Sequence, residues 1–221
     1  MATILRDWSY RYQWLYDGIS RLAALTVGGE ANFRQLALKN IPILPNMQVL
    51  DLCCGSGQAT AYLVDRFSQV IGLDASPRSL QRAQHHVPTA TYVEGWAEAM
   101  PFSDEQFDLV HTSAALHEMK PDQLRQILQE VYRVLKPGGT FTLVDFHAPT
   151  NPLFVPGLYL FLLLFETETS WQLLHTNLLD LLHQAGFVGG DPSHLCEETK
   201  LETARTLYAG GSLQAIQVKK P

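Results

Sequence analysis

Two acids close two apolar runs, Asp51 in "QVLDL" and Asp74 in "QVIGLD", with the turn Cys53-Cys54-Gly55-Ser56-Gly57 following the first. A carboxylate at a strand tip can accept hydrogen bonds from a cationic amine. A second acid about 20 residues further on, at the tip of the next strand, accepts from ribose hydroxyls. Gly55 and Gly57 let a backbone pass close to a ligand with no Cβ in the way. A dinucleotide fingerprint would carry a third glycine three residues after Gly57, but Thr60 stands there. An acid at the first strand tip would also repel a phosphate. The spacing therefore suits a nucleoside that carries an amine and no phosphate, and S-adenosylmethionine is such a molecule.

Elements must hold these acids in place. Gln48 to Cys53 reads as a buried strand, Gln58 to Phe67 as a helix and Gln69 to Asp74 as a second strand. Ser76 caps the next helix, with Pro77 at its first position. Strands are expected over Thr89 to Val93, Phe107 to Thr112 and Thr140 to Phe146, and an amphipathic helix runs from Pro121 to Leu135 and ends at "KPGG". Such alternation implies an α/β fold with a mostly parallel sheet covered on both faces. Residues 153–165, "LFVPGLYLFLLLF", are too short for a membrane span of about 20 residues. Ser170 to Ala185 reads as one helix closed by Gly186, and "TARTLYAGGSLQAIQVKK" as an antiparallel hairpin about Gly-Gly.

Composition narrows the function classes. The chain of 221 residues, 46% hydrophobic and 17% charged, reads as one globular domain over 1–221, with a helical lid at 1–40 and an apolar lid and helix at 151–185. A net charge of −6 without a basic cluster argues against nucleic acid. The three cysteines, Cys53, Cys54 and Cys196, form no disulfide framework and no ligand set for a metal. With no secretory pattern in 1–16, a reducing, cytoplasmic setting is expected, with contact at a membrane surface an open extension.

The chain resembles the class I S-adenosylmethionine-dependent methyltransferases, and within them the ubiquinone/menaquinone C-methyltransferase branch. "VLDLCCGSG", "GLDAS", "EGWAEAMPFSDEQFDLV", "SAALHEM" and "EVYRVLKPGG" carry the resemblance, in order, over about residues 47–150. It implies a Rossmann-like, seven-stranded sheet with a C-terminal antiparallel hairpin. It also implies a cofactor site: Asp51, Cys53, Gly55, Ser56 and Gly57 at the methionine end, Asp74 on the ribose, and Ala75, Trp96, Ala97 and Glu98 around the adenine. Thr112 and Ser113 would lie close to the sulfonium, with Leu116 and His117 covering the cofactor. Two residues depart from the branch. Cys53 replaces a usual glycine, and Trp96 stands where an aspartate would meet the adenine amine; Trp96 either packs near the base or anchors its loop.

Methyl transfer from a sulfonium is an in-line displacement that mainly needs the acceptor placed close and water kept out. A carbon or oxygen acceptor must also lose a proton, and His117 and His147, both after predicted strand ends, are the candidate general bases. Glu118 and Asp145 read as structural acids. Residues 153–165, with Tyr10, Tyr12, Trp14 and Tyr16, could build an apolar pocket, so the expected acceptor is a small hydrophobic molecule such as a prenylated quinone. The competing reading is a catalytically silent, S-adenosylmethionine-binding regulator. A nicotinamide oxidoreductase is disfavoured by the missing third glycine.

Overall fold

The computed structural model describes residues 24–189 and 204–221. Its sheet runs in the order β3-β2-β1-β4-β5-β8-β6, with β7 also pairing β8. The strands are β1 Gln48–Leu52, β2 Gln69–Asp74, β3 Thr91–Glu94, β4 Phe107–Ser113, β5 Leu135–Phe146, β6 Val188–Gly189, β7 Arg205–Tyr208 and β8 Leu213–Lys219. The first five run parallel. β8 lies antiparallel to β5, and the short β6 and β7 share its far edge. The expected mostly parallel Rossmann-like sheet and C-terminal hairpin are both present.

Near-continuous apolar strands are what a sheet covered on both faces requires. In β1, Val49 packs with Leu63 and Phe67 on one face, while Leu50 and Leu52 join the larger core on the other. That larger core is built by α4, Pro121–Val134, through Leu124, Ile127, Leu128 and Val131. The opposite face carries α2, Gln58–Val64, and α1, Glu30–Gln35, whose Phe33 packs with Val144 and Ala215. Residues 24–40 of the expected N-terminal lid thus contribute Phe33, Leu36, Ala37 and Leu38 to the buried core; the rest of that lid, with Tyr10, Tyr12, Trp14 and Tyr16, lies outside the described residues, as does Cys196.

Helix α3 spans Pro77–His86, and the Ser76 hydroxyl accepts from the Ser79 amide at 3.2 Å, the expected cap. The third strand begins two residues later than its sequence pattern suggests. As expected, α4 ends just before "KPGG", at Val134, and that segment also forms the irregular start of β5, because Leu135 already pairs with Phe107. The single helix expected over 170–185 is two: α6, Glu168–Leu174, and α7, Leu178–Gln184, follow the apolar α5, Val155–Phe165. The break lies at Asn177, whose side chain caps the Leu179 amide at 3.2 Å, while the Thr176 hydroxyl closes α6 on the Gln172 carbonyl. Asparagine gains more at a cap than inside a helix. Gly186 does end α7: it adopts φ +97°, and Phe187 and Gly186 donate to the carbonyls of Leu182 and His183. No helix among the described residues is long and apolar enough to cross a membrane.

Candidate cofactor-binding site

Strand order reverses on either side of β1, and in an open sheet of this kind ligands bind beyond the carboxyl ends at that point. A cleft of about 470 Å³ lies there, between the β1–α2 turn, the tip of β2, the start of α3 and the loop after β4. Asp74 organises it. One carboxylate oxygen accepts from the Gly55 amide and the other from the Ser76 amide, each at 2.9 Å. An ionised carboxylate offers about four acceptor positions, so both oxygens keep capacity for a pair of vicinal hydroxyls.

The turn after β1 and the loop after β4 each hold a non-glycine residue in the left-handed region, Cys53 at φ +56° and Ala114 at φ +55°. Both line the cleft. That conformation costs about 1–2 kcal/mol for an L-residue with a Cβ, and such strain concentrates where a loop must present its backbone to a ligand.

The cleft shares Cys53, Gly55, Gln58 and Ala114 with a small annex of about 50 Å³. Asp51, Arg34 and Ser113 also line the annex. Asp51 is 1% exposed and accepts from the Thr60 hydroxyl at 2.5 Å. Burial raises its pKa to about 7, against the opposing influence of the Thr60 hydrogen bond and the Arg34 charge. Arg34, 4% exposed, donates to the Ser113 hydroxyl at 3.3 Å. A buried carboxylate and a buried guanidinium around one small chamber match the ammonium and carboxylate of an amino acid. With Asp74 beyond them, this donor set fits S-adenosylmethionine.

The other sequence candidates fall into three groups. Ser56 and Ala75 line the cleft. Gly57, Trp96, Ala97, Glu98, Thr112 and Leu116 do not. A Cβ on Gly57, which is at φ +85°, would come within 3.3 Å of Ala83, so this glycine serves the packing of α2 against α3. Trp96 is 65% exposed and its carbonyl accepts from Ala99, closing a tight loop; Ala97 and Leu116 belong to the core. Glu98 accepts from the Gln123 side chain at 3.3 Å; burial raises the Cys53 thiol, and the charges of Asp74, Asp51, Glu118 and, least, Glu98 add to that. Thr112 is buried, its hydroxyl without a hydrogen-bond partner among the described residues.

The two histidines stand outside the cleft and the annex. His117 is buried, with Nδ1 2.7 Å from Asp145 Oδ1 and Nε2 3.6 Å from Glu166 Oε2. Carboxylates only accept, so an imidazole facing one from each nitrogen is held as the cation. Burial pulls its pKa down, but Asp145, Glu166 and Glu118 together outweigh that and lift it to about 9. His147 Nδ1 lies 2.9 Å from the Gly211 carbonyl, and Nε2 lies 3.4 Å from an Arg205 nitrogen. Donating through one nitrogen and accepting at the other, it ties the end of β5 to the β7–β8 hairpin.

Several cleft residues were not singled out from the sequence: Gln58, Ser79, Arg82, Ala115 and Met119. Their motif neighbours could have pointed to them, since each lies on the turn or helix that follows a named strand tip. Arg34 had no such signal, because it reaches the annex from a helix that precedes the first motif.

A methyltransferase-domain family profile matches residues 49–139. A methyltransferase of Synechocystis sp. is 57% identical over 99% of this chain and 97% of its own length. The demethylmenaquinone methyltransferase of Lactiplantibacillus plantarum is 35% identical over 64% of this chain, a match that spans 62% of that protein. Among solved structures, an S-adenosylmethionine-dependent methyltransferase from Mesorhizobium loti superposes with a TM-score of 0.61 at 19% identity, covering 86% of this chain and 100% of that one. With this fold, and with a relative so similar over its whole length, the chain belongs to the S-adenosylmethionine-dependent methyltransferases.

Proposed function

We propose that the protein methylates a small apolar acceptor of the prenylated-quinone type. In this reading Asp51 takes the cofactor ammonium, Arg34 its carboxylate and Asp74 the ribose hydroxyls. The bound cofactor supplies an activated methyl group. The residues around it fix its direction, narrow the approach of the acceptor and exclude water.

The observation that carries the acceptor class is helix α5. Its eleven residues include no charged side chain, yet Leu162 alone among them is fully buried. Tyr159, Leu160 and Leu163 are exposed, as is Leu153 just before the helix. Phe161 meets Phe146 edge-on, with ring centroids 5.7 Å apart, and Phe146 lies tilted against His117 at 4.6 Å, so α5 joins the loop that lines the cleft. Exposed apolar side chains gathered on one short helix suit an apolar partner. The Lactiplantibacillus relative, named for a demethylated menaquinone, supports the same acceptor class. An acceptor of that kind resides in lipid, which brings the protein to a membrane surface from a reducing compartment. Cys53 and Cys54, both free thiols, suit such a compartment.

The test is a panel assay with labelled S-adenosylmethionine. Prenylated hydroquinones in neutral micelles should gain one methyl group, and short polar phenols and amines should not. Turnover on polar acceptors alone would end the apolar reading while leaving the methyltransferase assignment intact.

A further inference from the structure

We propose that Glu166 is a positioning residue: holding His117 from the side opposite Asp145, it fastens the apolar arm formed by α5 and α6 to the loop that lines the cofactor cleft. The proposal rests on the assignment of that cleft to the cofactor.

Three elements meet at one imidazole. From β5, Asp145 gives one oxygen to His117 Nδ1 at 2.7 Å and the other to the amides of Leu116 and His117, at 2.8 and 3.2 Å. The turn Leu116–Glu118 is thereby held through both its backbone and its side chain. From the α5–α6 junction, Glu166 faces Nε2 at 3.6 Å. From α6, the Ser170 hydroxyl lies 3.1 Å from Glu166 Oε2 and 3.3 Å from the His117 carbonyl, so it braces the acid against the same turn. On either side of His117, Ala115, Glu118 and Met119 line the cleft. One charged ring therefore bridges the cofactor loop and the apolar arm.

A buried cation between two carboxylates is costly to disturb from either side, because losing one acid leaves the charge buried with only part of its compensation. That makes the bridge a stiff link. Ligand that orders the loop should order the arm, and the coupling must act equally in both directions. The charged groups facing His117 are Asp145 from β5, Glu166 from the arm and Glu118 from its own turn. The folded pKa of about 9 lies above the ordinary 6.5. The contribution of the pair to stability is thus full below pH 6.5 and is lost as pH rises through about 9.

The experiment uses the full chain with S-adenosylhomocysteine as probe. In the wild type, the probe should slow amide exchange over residues 155–174 by about fivefold or more, the lower end of ordinary coupling energies. In Glu166→Gln that protection should vanish and probe affinity should fall by the same factor at pH 7. Wild-type affinity should fall as pH rises through about 9, and the variant should lack that limb. Ser170→Ala, which removes only the brace, should show a smaller change in the same direction and serves if the first variant folds poorly. A purely structural acid would lower thermal stability without moving affinity or its pH limb. That result, or undiminished arm protection in a folded Glu166→Gln, overturns the clasp alone. A wild type that binds no probe removes the cofactor assignment, and the clasp with it.

Discussion

The cofactor half and the apolar arm of this protein are built on opposite plans. The tips of β1, β2 and β4 hold charged and strained groups in fixed hydrogen-bonded turns: Asp51 on Thr60, Asp74 on two amides, and Cys53 and Ala114 in left-handed conformations. The arm, α5 with α6, presents Leu160 and Leu163 to the outside, while it meets the rest of the molecule through Leu173 in the core, the edge-on contact of Phe161 with Phe146 and the His117 bridge. The first region pre-organises polar contacts for one ligand. The second offers exposed apolar area, which in the proposed reading would suit acceptors that differ in length or head group.

The largest expected effect tests whether polar pre-organisation dominates the first region. Burial raises the pKa of Asp51 to about 7, and in the proposed site the cofactor ammonium would require its carboxylate form. Affinity for S-adenosylhomocysteine should fall about tenfold for each pH unit below 7, with one proton released on binding. The stability of the ligand-free protein has the opposite sign. An acid whose folded pKa is raised above 3.8 contributes a penalty that grows as pH climbs toward 7. Asp51→Asn should therefore stabilise the ligand-free protein at pH 8 while weakening the probe by about 2–3 kcal/mol. Calorimetric titration in buffers of different ionisation enthalpy, alongside thermal melts, reads both. Affinity flat between pH 5 and 8 would separate Asp51 from the ammonium.

Next come the two partners of Asp51 in the proposed site. Arg34→Met keeps length and apolar stem but removes the guanidinium beside Asp51 and Ser113. A loss of about 2 kcal/mol in probe affinity is expected, and a probe lacking the carboxylate should bind both forms equally well. Asp74→Ala should cost about 1–3 kcal/mol. Part of that reflects the Gly55 and Ser76 amides left without their acceptor. An unchanged affinity in isothermal titration would remove Asp74 from the ribose.

The same contrast explains what could be read from the chain alone. The sheet, its reversal point and the two acidic tips were legible because strand, turn and helix follow one another locally, and a strand tip fixes where its last side chain emerges. Arg34 was not, since its meaning depends on Ser113 and Asp51, which only the folded sheet brings to it. His117 illustrates the converse. Its motif position suggested a base near its ordinary pKa, but Asp145 and Glu166, distant in sequence, hold it as a cation away from the cleft. Helix α5 was legible as apolar and too short to span a membrane. Which residues it would leave exposed was not, because a segment apolar on every side has no pattern that marks an inner face.

The smallest expected effect on the cofactor is the sharpest test of the division. Leu160 and Leu163 are 57% and 64% exposed, so the double substitution Leu160→Ser, Leu163→Ser removes apolar surface with little loss of packing. Surface changes of that kind usually move stability by less than about 0.5 kcal/mol. Serine lowers intrinsic helix propensity slightly, and probe affinity should stay within the same margin. The KM for a prenylated acceptor should nonetheless rise several-fold, at about 0.8 kcal/mol for each methylene no longer buried against it, with kcat nearly unchanged. A fall in probe affinity as large as that of Arg34→Met would mean that the two regions form one site, and the division between them would be lost.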